Sequence, residues 1–171
     1  MAPTPVFLSN SKAFNQAAIL LSEWEQARPA NSAVVTSELC TAFIQFVGAI
    51  LNDTQETNLD IADVQKGLHR AAGLAIGRGE ASGPGRANRA LLQAYRSTQS
   101  VGPSAAVQGQ LLLLLQARPD AELEMEELTE ITETMGRDTG PEWEIIFGYG
   151  VVPDLPAEIR FSFLSAPSAA T

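Results

Sequence analysis

The residues best placed to do chemistry lie in one short polar segment, residues 58–64, which reads NLDIADV. Asp60 suits the N-cap of a helix, and Asp63 occupies the position from which a capping box accepts a hydrogen bond in return. The same spacing gathers Asn58, Asp60 and Asp63 around one exposed helix start, where two carboxylates could polarise a water presented by a partner's ligand. The chemistry alone favours the cap, and activation of a water stays open as the alternative.

The other candidate groups have simpler structural explanations. His69 is the only histidine and falls within a helical pattern that offers no orienting carboxylate, so we expect a structural histidine. Cys40 is the only cysteine, which excludes an internal disulfide and a multi-cysteine metal site, and its apolar surroundings predict a small core residue. No GxxxxGK[ST] loop occurs, and Gly77 and Gly79 lack the third glycine of a dinucleotide fingerprint, so they predict a tight turn with positive φ.

Apolar periodicity predicts the elements that position these groups. Helices are expected from residue 11 to Pro29, over a buried stretch at 37–51, from Asp60 to near Gly73, and over 84–97 and 122–135. The glutamates of the last helix predict a solvated face rather than a metal site. Strands are expected at 74–76, 111–115, 143–152 and 158–164, with the last two joined as a hairpin and a frayed tail from Ser165.

This order predicts an α+β fold, a mixed four-stranded sheet with helices packed on it, plus N-terminal helices. The run of five leucines at 111–115 predicts a strand covered on both faces.

The composition narrows the possible partners. The 171 residues include 20 Asp and Glu against 11 Lys and Arg, a net charge of −9. Because the basic residues are scattered, we expect neither nucleic acid nor an anionic membrane surface as a partner. The N-terminus has no leader pattern, and the apolar runs are shorter than the about 20 residues of a membrane helix, so a cytoplasmic location is expected.

Three segments, in order and with compatible spacing, resemble the C-terminal domain of the FtsZ/tubulin-like family. Residues 58–64 resemble its catalytic loop, N-x-D-F-A-D-V. Residues 77–87, GRGEASGPGRA, resemble G-x-G-E-A-S-G-x-x-R-A, and residues 145–160, IIFGYGVVPDLPAEIR, resemble the final hairpin I-I-F-G-x-x-x-x-P-x-L-x-x-E-[VI]-R. The resemblance divides the chain into an N-terminal arm and helix (1–36), an FtsZ C-terminal-like domain (37–166) and a tail (167–171). Nothing matches the family's N-terminal GTP-binding domain with its triple-glycine loop.

The resemblance implies a shared active site. In that family GTP is hydrolysed between subunits, because one subunit binds the nucleotide and the next inserts its catalytic loop. By position, Asp60 and Asp63 match the two acids that activate the attacking water, in trans only, and Asn58 matches the neighbouring polar residue. Ile61 replaces the usual phenylalanine at this interface, and Gln55 stands where a glycine is common. GTP is therefore expected on a partner subunit, with no cofactor or metal bound by this chain alone.

Three hypotheses follow from the resemblance. The leading one is an FtsZ-like protein in cell division or the cytoskeleton that binds or caps an FtsZ-type GTPase polymer, supplies Asp60 and Asp63 in trans, and is not itself an enzyme. The second is half of a split FtsZ-like GTPase, in which a separate GTP-domain chain covers the apolar helix at 43–51. The third is a stand-alone protein-interaction module in which both acids are only caps. In the module, residues 11–27, with Trp24 partly outward, either confer specificity or cover the buried helix, and covering is favoured.

Overall fold

The computed structural model describes residues 12–52, 54–55, 59–103 and 105–169. In chain order the elements are α1 (Lys12–Ala27), α2 (Ser37–Asn52), β1 (Thr54–Gln55), α3 (Ile61–His69), β2 (Leu74–Ala81), α4 (Arg86–Arg96), β3 (Gln99–Val101), β4 (Gly109–Ala117), α5 (Met125–Thr139), β5 (Trp143–Val151) and β6 (Ile159–Pro167). Among these residues no helix combines the length and the apolar character needed to cross a membrane.

The strands that the structure describes form one mixed sheet in the order β1-β5-β4-β6-β2-β3. β4 and β5 are parallel, and β6 is antiparallel to both of its neighbours, β4 and β2. The α+β class is confirmed, and the four predicted strands are present as β2, β4, β5 and β6. The four-stranded sheet itself is wrong, because the short strands β1 and β3 extend its two edges. Strands of two and three residues are too short to show the alternation that periodicity detects.

The last two strands are consecutive in the chain but are not neighbours in the sheet. Val152 donates its N–H to the carbonyl of Ala117 at 2.9 Å, and Arg118 donates to the carbonyl of Glu158 at 3.0 Å. The connection between β5 and β6 is therefore held against the end of β4. β6 then enters between β4 and β2, so the predicted hairpin is wrong in its pairing.

The end of the chain is also tied to the sheet. β6 continues to Pro167, three residues into the segment expected to fray. Ser168 bridges to Ala71, and Ala169 donates its N–H to the carbonyl of Arg70 at 3.0 Å. The predicted frayed tail from Ser165 is therefore wrong over its described part, because these backbone groups find partners beyond the end of α3.

Both hydrophobic cores rest on β4, whose nine residues are all buried. Leu112 and Leu114 face the first core, formed with α1, α2 and α3. Leu111, Leu113 and Leu115 face the second core, formed with α4 and α5. The prediction of a strand covered on both faces is confirmed. Since burying one leucine side chain contributes about 1.5–3 kcal/mol, this run stabilises both layers at once.

The first helix covers the second. Phe43 and Val47 of α2 are fully buried in the first core, to which α1 contributes Leu21 and Trp24. Trp24 is 5% exposed, and its Nε1 donates to the carbonyl of Ala71 at 3.0 Å. The prediction that Trp24 points partly outward is wrong, because the indole spans from α1 to the residues that follow α3.

The glycine-rich segment is largely strand. β2 continues through Gly77 and Gly79, and in this segment positive φ occurs at Gly83 (80°) and Gly85 (70°). A Cβ placed on Gly79 would overlap the backbone carbonyl of Ala90 in α4. The predicted turn at Gly77 and Gly79 is therefore wrong, because these glycines allow α4 to approach the sheet closely.

Arg86, at the start of α4, joins three parts of the structure. Its guanidinium makes hydrogen bonds of 2.6 and 2.9 Å with the carboxylate of Glu127 in α5 and donates to the carbonyl of Glu122 at 2.8 Å. It also lies 3.8 Å from the carboxylate of Glu158, just before β6. The hydrogen bond from Arg86 lowers the pKa of Glu127 below its usual value. Glu127 is therefore an exception to the predicted solvated face of α5.

The close approach of α4 to β2 predicts that Gly79→Ala is destabilising. The added methyl group would push α4 from the sheet, at a cost of about 1–3 kcal/mol for an overpacked contact. Gly136→Ala is a matched control, because a Cβ there would meet its nearest neighbour, Ile145, at an ordinary 3.5 Å in the second core. Urea unfolding should show a loss for Gly79→Ala and no loss for Gly136→Ala. Equal stability of both variants would contradict the close approach.

The Arg86–Glu127 pair predicts a specific loss of stability in acid. Because the pKa of Glu127 is lowered in the folded state, the stabilisation is present at neutral pH and is lost as the pH falls below the usual value of 4.5. Glu127→Gln should cost about 1.5–3 kcal/mol at neutral pH, and the difference from wild type should shrink on acidification. Urea unfolding across this pH range measures both effects. Glu130→Gln, on the exposed face of α5, should follow the wild type throughout.

Candidate functional site

The start of α3 has the geometry of a reciprocal cap. Asp60 lies in extended backbone at the N-cap, and its Oδ1 accepts a hydrogen bond from the N–H of Asp63 at 3.1 Å. In return, Asp63 Oδ2 accepts from the N–H of Asp60 at 2.9 Å. The predicted capping box is confirmed. It gives side-chain acceptors to two backbone donors at the helix start, and the N–H of Asp63 also contacts the carbonyl of Asp60 at 3.2 Å.

The cap uses one oxygen of each carboxylate. Among the described residues, Asp60 Oδ2 and Asp63 Oδ1 accept no hydrogen bond. Asp60 is exposed and Asp63 is half-buried. A carboxylate can accept several hydrogen bonds, so the cap does not use the full acceptor capacity of either side chain. The cap and a water-activating role are therefore compatible in geometry.

Two predicted site residues remain, and the structure describes only one of them, Ile61. Ile61, the first residue of α3, is half-buried and packs against the first core. Only part of its side chain is available to a partner. Asn58 lies outside the described residues. The structure therefore brings together Asp60, Ile61 and Asp63 at one helix start.

A polar bridge that the sequence did not predict links α3 to the sheet. Lys66 Nζ contacts Glu144 of β5 at 3.1 and 3.2 Å, and Gln110 Nε2 of β4 donates to the same carboxylate at 3.1 Å. The hydrogen bond from Lys66, and then that from Gln110, lower the pKa of Glu144. Lys66 lies one turn after Asp63, so exposed side chains link the helix that carries the acids to β4 and β5. In the chain, Glu144 lies 34 residues from Gln110 and 78 residues from Lys66. No local sequence pattern could therefore predict this bridge.

The other titratable groups do not join this site. His69 is exposed at the last position of α3, as expected for a structural histidine. Cys40 is half-buried against the first core, and burial raises the pKa of its thiol. Within the described ranges no group of three or more histidine, cysteine, aspartate or glutamate side chains is placed to hold a metal ion.

Comparison with known proteins identifies the fold. No family model and no curated protein matches the chain. Among solved structures, an empty FtsZ dimer from M. jannaschii is 24% identical over 75% of this chain, with a TM-score of 0.57. A tryptophan-to-tyrosine FtsZ mutant from the same organism is 22% identical over 92% of this chain, with a TM-score of 0.56. The chain therefore has an FtsZ-like fold, and it spans 36% and 52% of the length of those two FtsZ chains.

The capping box predicts a difference between two substitutions at one position. Asp60→Ala should lower the free energy of unfolding by about 1 kcal/mol, because the N–H of Asp63 loses its side-chain acceptor and keeps the carbonyl of Asp60 at 3.2 Å. Asp60→Asn should stay near the wild type, since asparagine caps helices about as well as aspartate. Urea unfolding measures both, with the exposed Asp154→Ala as a control that should change little. Equal losses for alanine and asparagine would show that charge, rather than the cap, stabilises this end.

Proposed function

We propose that the start of α3 docks on the nucleotide-bearing face of an FtsZ-type GTPase subunit and supplies Asp60 and Asp63 to that subunit's GTP. The observation that carries the proposal is the reciprocal cap, which holds both acids at one helix start and leaves one oxygen of each without a partner among the described residues. The FtsZ-like fold and the resemblance of residues 58–64 to the family's catalytic loop support the same role. One of the matched FtsZ structures is a dimer, which is consistent with association through this fold.

The 171 residues contain no phosphate-binding loop. In this proposal GTP therefore belongs to the partner, and the chain binds no nucleotide of its own. These 171 residues by themselves would contact a filament through α3 and would offer no nucleotide face to the next subunit. Addition of the chain then ends the filament, so it acts as a cap and a regulator of the polymer.

The stand-alone interaction module is the second candidate, and the capping box is the observation that favours it. The cap alone accounts for the presence of both aspartates at the start of α3, without a catalytic role. The split GTPase has less support, because the apolar side chains of α2 that it assigns to a separate chain, such as Phe43 and Val47, are buried within this chain.

The decisive experiment uses a purified FtsZ-type GTPase loaded with GTP and kept below its polymerisation threshold. Without neighbours, the partner lacks the acids that the resemblance places on the adjacent subunit. Adding this chain should raise phosphate release. The double variant Asp60→Asn, Asp63→Asn keeps the side-chain acceptors of the cap but lacks both carboxylates, so it should bind equally by sedimentation yet lose the stimulation by about a hundredfold.

Above the threshold, substoichiometric amounts of the chain should lower light scattering, because capped filaments shorten. Asp154→Asn, an exposed aspartate before β6, is the matched control and should behave as wild type in both assays. Binding with no difference between wild type and the double variant would favour the interaction module. No effect on scattering or phosphate release at equal amounts of the two proteins would overturn the proposal.

A further inference from the structure

A pocket of about 680 Å³ lies between the end of α1, the loop that follows it and the end of α3. Its apolar walls include Leu20, Trp24 and Leu68, which also belong to the first core. A volume of this size is within the range of pockets that hold small organic molecules. Among the described residues, neither Asp60 nor Asp63 lines the pocket, so it is separate from the start of α3.

The rim of the pocket carries more basic than acidic side chains, in a chain whose net charge is −9. Arg28, His69 and Arg70 line it, and Glu23 is the one acid among the lining residues that the structure describes. The side chains of His69 and Arg70 are exposed and have no hydrogen bond or ion pair within the described part of the chain. The rim therefore favours a ligand with a negatively charged group.

One of these basic groups is already held beside the apolar wall. The guanidinium of Arg28 lies 4.5 Å from the centroid of the Trp24 ring, and its Nη1 donates to the carbonyl of Ala33 at 2.9 Å. The indole is fixed in turn, because its Nε1 donates to the carbonyl of Ala71 at 3.0 Å. A guanidinium has five N–H donors, so these contacts leave several for a ligand. Its planar shape matches a carboxylate, which can accept two parallel hydrogen bonds.

We propose that this pocket binds a small aromatic carboxylate. The ring of the ligand lies against Trp24 and Leu68, and its carboxylate contacts Arg28 and Arg70. A doubly charged phosphate is a poorer ligand, because Glu23 on the rim and the net charge of −9 both oppose a second negative charge. The inference does not depend on the proposed docking of α3, which uses the other end of that helix.

The test uses 2-naphthoate as the probe and the full chain, so that any cover given to the pocket by residues 1–11 or 170–171 is part of the measurement. The chain has two tryptophans, and their indole N–H signals in NMR spectra report on two separate places. The signal of Trp24 should shift on titration, whereas that of Trp143, in the second core, should not. The uncharged analogue 2-naphthamide should bind at least about tenfold more weakly, because it lacks the carboxylate.

Arginine-to-glutamine variants separate the charge from the apolar walls. Arg28→Gln and Arg70→Gln should each weaken 2-naphthoate by at least about tenfold and change the affinity for 2-naphthamide little. Arg96→Gln is the matched control, because this exposed arginine lies on α4, which packs on the other face of the sheet. Ala27→Phe, at the exposed end of α1, places a ring in the pocket and should block both probes.

The second indole signal, unchanged in each variant, checks that the variant is folded. Three results would each overturn the proposal: no shift of the Trp24 signal in the full chain, equal affinities for the carboxylate and the amide, or wild-type affinity in the double variant Arg28→Gln, Arg70→Gln.

Discussion

One buried strand links the two halves of this structure. Every residue of β4 is buried, and its leucines alternate between a core built with α1, α2 and α3 and a core built with α4 and α5. A strand of this kind has no solvent face, so it cannot lie at the edge of the sheet. β4 therefore lies inside the sheet, with β5 on one side and β6 on the other, and the helices pack on the two faces of the sheet. The relative placement of α3 and α5 therefore depends on the packing of β4.

Charge in this protein is used mainly to hold elements in place. Arg86 joins α4 to α5 and to the residue before β6, and Arg160 Nε contacts Glu80 across β6 and β2 at 2.7 Å. Lys66 joins α3 to the sheet through Glu144. Exposed ion pairs contribute little to stability, so the shielded Arg86 pair, with side chains 11% and 17% exposed, is the one expected to matter most.

In the proposed function, the start of α3 would serve stability and chemistry together. A helix cap and an acid that activates water both need a carboxylate held in a fixed position. The reciprocal hydrogen bonds of Asp60 and Asp63 hold both carboxylates in this way. The exposed bridge of Lys66, Glu144 and Gln110 links this helix to the sheet. For the proposed docking, preorganisation of this kind would lower the cost of association, because the two carboxylates are already held in place before binding.

The sequence by itself determined the features that depend on near neighbours in the chain. The cap at Asp60 and Asp63 is set by a three-residue spacing, the double burial of β4 by five consecutive leucines, and the start of α4 by residues around Pro84. Only the tertiary structure decided which strands became neighbours. β6 lies between β4 and β2 instead of pairing with β5, because backbone hydrogen bonding is similar for any strand and the choice rests on packing between distant segments. The same reason applies to Gly79, Trp24 and Glu144, whose roles are set by Ala90, Ala71 and Lys66, partners that lie close in space but well apart in the chain.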